Sequence, residues 1–272
     1  MPTIQELIST AKDSLAIEVL LASVLKKDRA YLYSYPEKNI SAEDFDVFNK
    51  LFKRHQNGEP LAYILGYQEF WSLNLKVTKD TLVPRSDTEI LVESALEKLK
   101  ALPDLDNIKI LDLGTGSGAI ALALASEVPS AKVIATDISN SALAVAKENA
   151  KNLGLSNVKF VRGPWFEPLG DQRFDIILSN PPYIGKDDQC LSVNVKKYEP
   201  SLALFSDNDG LNDINVIIKK AKNHLNKNAW ILIEHGFDQS AAVADLFKSE
   251  EYCSIELRQD LAGNDRMTMA KR

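Results

Sequence analysis

The sequence predicts an α/β fold with a mostly parallel, doubly wound sheet preceded by a small helical domain, and three observations carry that prediction. From position 108 onward, apolar runs that read as strands (108–113, 133–136, 158–161, 174–178 and 230–233) alternate with helical stretches, the rhythm of strands joined by crossover helices. Before them, positions 3 to about 65 show helical spacing. Two turn motifs, Gly114-Thr115-Gly116-Ser117-Gly118 and Asn180-Pro181-Pro182-Tyr183, each follow an apolar run, which is where open α/β sheets gather their ligands.

Taken in order, Thr3 and Glu6 have capping-box spacing, and Leu15, Val19, Leu20, Val24 and Leu25 mark an apolar helix face. Lys26-Lys27-Asp28-Arg29 reads as a solvated helix end rather than an anion grip, because an acid interrupts it. Ser41 opens another helix carrying Phe45, Phe48 and Phe52 along one side, as core rather than ligand surface. Gly58, Pro60 and Gly66 then break the helices, and Leu73, Leu75 and Val77 alternate as one arm of a hairpin. Ser86-Asp87-Thr88-Glu89 again has capping-box spacing, which assigns Ser86 and Glu89 to a helix start; Arg85 and Asp87 are free to orient a site entrance. The expected organisation is a helical domain at 1–67, a hairpin linker at 68–83 and a sheet domain at 84–272.

The 272 residues, with 45% hydrophobic and 26% charged side chains, are ordinary for a globular protein and suit two domains. A net charge of −6 argues against broad capture of nucleic acid through its phosphates. Residues 1 to 75 carry eight Lys or Arg against ten Asp or Glu, a balance better suited to a protein partner. No apolar run approaches the ~20 residues that span a bilayer, and the N-terminus lacks a basic-then-apolar signal, so a cytoplasmic location without membrane association is expected. Cys190 and Cys253 lie far apart with no metal-ligand spacing and read as reduced thiols. His55, His224 and His235 are equally scattered, and no metal site is expected.

Strand, Gly-x-Gly-x-Gly and helix start mark a close approach of backbone to a ligand, because glycine accepts positive φ and brings no Cβ. Asp137 stands at the end of the next strand, where a carboxylate accepts both hydroxyls of a ribose. Taken alone, the pair is compatible with NAD. The spacing differs from the Gly-x-Gly-x-x-Gly of pyrophosphate binders, however, and nothing resembling a hydride-transfer site follows. S-adenosylmethionine fits better, with its ribose at Asp137, its methionine end on the glycine turn and its methyl sulfonium facing Asn180.

Asn-Pro and Pro-Pro pairs are also common loop punctuation. Here, though, two prolines without N–H groups leave carbonyls free to accept hydrogen bonds. With the Asn180 side-chain oxygen they form a rigid acceptor fork for both hydrogens of a planar NH2 group, with Tyr183 as a stacking wall. That fork suits a glutamine amide, adenine N6 and cytosine N4 equally.

Asp112-Leu113-Gly114-Thr115-Gly116-Ser117-Gly118, Asn180-Pro181-Pro182-Tyr183, Pro84-Arg85-Ser86-Asp87-Thr88-Glu89, Tyr63-Ile64-Leu65-Gly66-Tyr67-Gln68-Glu69-Phe70 and Glu234-His235-Gly236 together resemble the HemK/PrmC family of release factor glutamine methyltransferases, over nearly the whole chain. The resemblance implies a class I S-adenosylmethionine-dependent fold, Rossmann-like, with a seven-stranded mostly parallel sheet whose antiparallel edge falls at 255–257 and 267–269. It implies N5-methylation of the glutamine in the Gly-Gly-Gln loop of class I peptide chain release factors, with S-adenosylhomocysteine as product. The helical domain would help dock that partner, and a monomer is expected. Asn180, Pro181 and Tyr183 are the implied catalytic residues, with Pro182 beside them at the substrate. Gly114, Thr115, Gly116, Ser117, Gly118, Asp137, Trp165 and Asn180 are the implied cofactor contacts. The chain departs from the family pattern at Ser86, usually a second proline, and at Pro164, where relatives often carry an acid that reaches the adenine amino group. A nucleic-acid amino methyltransferase is the competing reading, and a noncatalytic nucleoside-binding module the third.

Overall fold

A computed structural model describes residues 1–9, 13–102, 107–189 and 191–272, and its chain divides into two compact units, Met1–Gly66 and Tyr67–Arg272. Among its described residues the first unit has five helices: α1 (Ile4–Ser9), α2 (Ser14–Leu25), α3 (Arg29–Ser34), α4 (Ala42–Gln56) and α5 (Leu61–Leu65). Their starts follow the local chemistry. The Thr3 N–H donates to Glu6 Oε2 at 2.8 Å while the Glu6 N–H donates to Thr3 Oγ1 at 3.2 Å, the reciprocal box that satisfies two helix-start donors. Asp13, Asp28 and Ser41 cap α2, α3 and α4, so the charged stretch at 26–29 is a helix end meeting a helix start. Ile17, Leu20 and Leu21 form the buried stripe of α2, whereas Leu15 is 53% exposed; it falls off the i, i+3, i+4 spacing that those three set. Phe48 is buried and stacks on Phe52 at 5.5 Å, with Phe45 and Phe52 partly buried beside it.

The second unit opens with a hairpin, β1 (Tyr67–Phe70) and β2 (Leu73–Lys76), turned by Trp71 and Ser72 at φ of 52° and 57°. Positive φ at two non-glycine residues is costly. The turn is held by hydrogen bonds from the Trp71 N–H to Glu89 Oε1 at 2.7 Å and from Trp71 Nε1 to Glu127 Oε1 at 2.8 Å. The capping box expected at Ser86–Glu89 does not form. Ser86–Thr88 is a 3₁₀ turn leading into α6 (Glu89–Lys100) with no side-chain cap; Glu89 serves the hairpin instead, and Thr88 is buried.

Strands and helices then alternate: β3 (Lys109–Leu113), α7 (Ala119–Glu127), β4 (Lys132–Asp137), α8 (Asn140–Asn152), β5 (Val158–Arg162) and β6 (Phe174–Ser179). After β6 come two short strands, β7 (Ile184–Gly185) and β8 (Phe205–Ser206), which pair in parallel around α9 (Val193–Tyr198) and α10 (Ser201–Leu204). The chain closes with α11 (Asn212–His224), β9 (Leu225–Glu234), α12 (Ser240–Ser249), β10 (Cys253–Gln259) and β11 (Asp265–Lys271). The seven-stranded sheet has the order β10-β11-β9-β6-β3-β4-β5, parallel except where β11 pairs antiparallel with both β9 and β10.

Period-2 alternation sorts the strand residues to two faces. Ile110, Ile176 and Leu232 pack with Leu91 and Leu122 in one core, and Leu111, Ile177 and Ile231 pack with Ile217 and Phe247 in the other. The buried Asn149 on α8 accepts the Lys76 N–H at 2.7 Å and donates to the Lys76 carbonyl at 3.0 Å and the Ser117 carbonyl at 2.9 Å, tying hairpin, helix and glycine turn together.

From β3 the sheet grows to one side through β4 and β5, and to the other through β6 and β9. Between β3 and β6 the connections diverge, opening the crevice in which such sheets bind ligands. Leu113 pairs with Ser179 across that boundary, and Ser179 Oγ donates to the Leu113 carbonyl at 2.8 Å. The glycine turn and the Asn-Pro-Pro-Tyr turn therefore leave adjacent strands side by side.

Candidate active site

The glycine turn is pinned by the N–H groups of Gly114 and Thr115, which both donate to the Thr136 carbonyl at 2.9 Å. Gly116 sits at φ +57° with open space where a Cβ would point, so this backbone can lie directly against a ligand. The other three motif residues do structural work. Thr115 is buried and donates its hydroxyl to Asp112 Oδ2 at 2.6 Å. The Ser117 carbonyl takes the Asn149 bond, and a Cβ on Gly118 would meet Leu122 at 3.0 Å and Ala146 at 3.2 Å, so its bareness lets α7 and α8 approach. Gly114 and Gly116 line the cleft.

Asp137 ends β4 on the cleft wall, its carboxylate receiving the Gly116 N–H at 2.9 Å and the Ser139 N–H at 2.8 Å. Burial raises its pKa and these backbone donors oppose the rise. Each oxygen keeps a lone pair for a further donor. Trp165, at φ 48°, lines the same wall with Pro164; its indole would be 3.3 Å from a Cβ on Gly114, so glycine is needed there too. Ile138 stands 47% exposed on the rim. Carboxylate, flat apolar walls and bare glycine backbone fit a nucleoside joined to an amino-acid tail, the shape of S-adenosylmethionine.

Asn180 has its side-chain orientation set. Its Nδ2 donates to Thr88 Oγ1 at 3.1 Å, and among the described residues Oδ1 has no hydrogen-bond partner. Among the described residues the Pro181 carbonyl has no hydrogen-bond partner. Asn180 lines the cofactor-shaped cleft and also a second pocket formed with Arg85, Pro181, Tyr183, Ile184 and Val195. Leu82 and Ala203 likewise border both, and Pro182 faces the first.

The turn is buttressed from behind. The Tyr183 carbonyl accepts Gln239 Nε2 at 2.9 Å, and a Cβ on Gly210 would lie 1.9 Å from that carbonyl oxygen. Tyr183 Oη donates to Glu234 Oε1 at 3.2 Å; burial drives the tyrosine pKa far up, with the Glu234 charge adding to the rise. Arg85 pairs with the buried Glu199, whose other oxygen takes the Val83 N–H at 3.2 Å, closing one side of the second pocket.

Thr88, Leu82, Glu199 and Gly210 escaped sequence reasoning because each lies in a loop or turn without periodicity. Among the histidines, His235 bonds the Gly236 carbonyl and Thr268 Oγ1, each at 2.8 Å, His55 pairs with Asp13 at 3.2 Å and His224 stacks on Phe166. Among the described residues there is no cluster suited to a metal ion, and no helix is long and apolar enough to cross a membrane. Cys253 is a free, exposed thiol, and Cys190 falls outside the described residues.

A Rossmann-like sheet with a glycine turn, a strand-end acid and an Asn-Pro-Pro-Tyr turn meeting at its switch point defines a methyltransferase, and residues 104–270 match the methyltransferase domain family. Residues 4–66 match the PrmC N-terminal domain family. The release factor glutamine methyltransferase of Aliivibrio fischeri is 46% identical over 272 residues, 99% of this chain and 94% of that one. The corresponding protein of Coxiella burnetii is 45% identical over 269 residues, covering 98% and 95%. A methyltransferase structure from Pyrococcus furiosus shares the fold at a TM-score of 0.53 and 20% identity, over 73% of this chain and 88% of that one. The chain belongs to the release factor glutamine methyltransferase family.

Proposed function

We propose that this enzyme transfers the methyl group of S-adenosylmethionine to the side-chain amide nitrogen, N5, of the glutamine in the Gly-Gly-Gln loop of a class I peptide chain release factor. The observation that carries the reading is the position of Asn180, which lines both pockets and whose Oδ1 has no partner among the described residues. The glycine turn, Asp137 and the wall at Trp165 would hold the donor, which supplies an electrophilic methyl on a positively charged sulfur. The second pocket would take the glutamine side chain between Leu82, Pro181 and Tyr183.

An amide nitrogen is a weak nucleophile because its lone pair is delocalised. Asn180 Oδ1 and the Pro181 carbonyl accept its two hydrogens and hold the nitrogen toward the first pocket. As the nitrogen gains positive charge its hydrogens become better donors, so both bonds strengthen toward the transition state, and only such differential binding accelerates the step. As the N–C bond forms the S–CH3 bond breaks and its electron pair leaves with the neutral thioether. The cationic N-methyl amide that results is acidic enough to lose its extra proton to water, so no base is required at the nitrogen. The helical unit would contribute to docking the release factor.

The test uses labelled methyl donor with a release factor, the same factor with its loop glutamine changed, and total RNA or DNA. Label on the unchanged factor alone supports the proposal; label on nucleic acid replaces it with the amino methyltransferase reading.

A further inference from the structure

Glu234 ends β9 and opens Glu234-His235-Gly236, a stretch with no task in the reaction as described. It is 1% exposed. Two hydroxyls approach it from opposite ends of the active turn. Tyr183 Oη donates to its Oε1, and the hydroxyl of Thr88, which accepts the Asn180 Nδ2 bond, comes close enough to the carboxyl group to lower its pKa without a hydrogen bond of good geometry. Oε2 has no partner of good geometry among the described residues. The surrounding charges are Arg266 from β11, which sits 3.1 Å from Asp260 and 3.9 Å from Asp87, then Asp87 itself, and Arg85 near Tyr183. His235, next in the chain, has its pKa lowered by burial.

The hydroxyl of Thr88 has a single proton, and a carboxylate can only accept. With Glu234 ionised, the Thr88 proton goes to the carboxylate and the Thr88 oxygen is left to accept. Asn180 must then present its NH2 to Thr88 and its oxygen to the pockets. A neutral carboxyl can donate to Thr88, which frees the Thr88 proton for Asn180 Oδ1. The amide then turns over and meets the substrate NH2 donor to donor. We infer that Glu234 is a positioning residue that sets, through Thr88, which end of the Asn180 amide faces the reacting nitrogen, and that anchors the far end of the same turn through Tyr183.

The inference rests on the function proposed above and adds a pH dependence to it. Burial pushes the Glu234 pKa up to about 7, against the hydrogen bonds and the Arg266 charge, so the carboxylate form is gained as pH rises through neutrality. The experiment compares wild type with Glu234→Gln, Thr88→Val and Thr88→Ser. By analogy with hydrogen-bond partners that orient metal ligands, Glu234→Gln and Thr88→Val should each lower kcat at pH 8 by about 10- to 100-fold. Cofactor affinity by calorimetry should stay within about threefold, because the Thr88 and Glu234 side chains do not line the donor pocket. Wild-type kcat should rise with pH across about 7, and Glu234→Gln should lack that step. Thr88→Ser should retain most of the activity. By NMR, the Asn180 side-chain NH2 should show contacts to Thr88 in wild type and lose them in Glu234→Gln.

An unchanged kcat and pH profile in Glu234→Gln, or an Asn180 amide that keeps its orientation there, overturns the inference. Thr88→Val leaves the carboxylate in place, so it decides the same link if the Glu234 variant fails to fold. Should wild type leave the release factor unlabelled, the proposed function fails, and the NMR comparison still decides the role of Glu234.

Discussion

The oxygen of Asn180 is the group on which the proposed chemistry turns, and removing it is the sharpest single change. Asn180→Ala should lower kcat by roughly 100- to 1000-fold, about 3 to 4 kcal/mol of transition-state stabilisation, with cofactor binding retained; single-turnover transfer to the release factor measures it. Gly210 makes a different demand. At φ +85°, with any Cβ driven into the Tyr183 carbonyl, Gly210→Ala should cost about 2 kcal/mol or more in strain and displacement and should lower kcat by moving the turn. A denaturation curve and a rate measurement on the same sample separate the two losses. Asn180 and its prolines were legible as chemistry because their types are unusual at a strand end. Thr88 and Gly210 were not, because a hydroxyl and a glycine in a turn look alike whether they serve a neighbour in sequence or one ninety residues away.

Helix starts show how far local rules reach. Thr3 and Ser41 cap as their spacing predicts, and Asp13 and Asp28 prove to be caps that the spacing did not single out; in each case both partners are near in sequence and nothing else competes for them. Ser86 and Glu89 have the same spacing and do not cap, because the Trp71 amide and the buried Thr88 claim that segment. Leu15 shows the same limit for helix faces, since apolarity alone does not say which stripe is turned inward. Asn149 is the clearest case of an element held by a distant side chain. Asn149→Ala leaves the partly buried Lys76 N–H and carbonyl and the buried Ser117 carbonyl without this partner, and at about 1 kcal/mol for each lost hydrogen bond it should cost roughly 3 kcal/mol. The expected outcome is a lower melting temperature together with weaker cofactor binding, since the glycine turn loses a brace.

Across the whole molecule, the strand–helix rhythm made the sheet legible, while the order of its strands follows from pairing that no single stretch encodes. Two buried carboxyls also give the molecule a pH signature. Burial pushes Asp112 up to about 7 from 3.8, opposed by the Thr115 hydroxyl, and Glu234 up to about 7 from 4.5. A raised carboxyl pKa means that the folded state holds protons the unfolded chain has released. The resulting stability is fully present below the ordinary carboxylate range and is lost as pH rises through about 7. Melting temperature should therefore fall from pH 5 to pH 8, and Glu234→Gln, with no proton to lose, should gain on wild type over that window. Calorimetric scans at the two pH values check the sign.

The pairing of Leu113 with Ser179 has a metric consequence. Neighbouring strands lie about 4.8 Å apart, so the turns proposed to carry donor and acceptor begin one ladder rung from each other. The reach of the transfer is thus ruled off by backbone hydrogen bonds, the least mutable yardstick in the chain. Loops around the crevice can change their sequence to suit one partner or another while the gap that the methyl must cross stays where the sheet has drawn it.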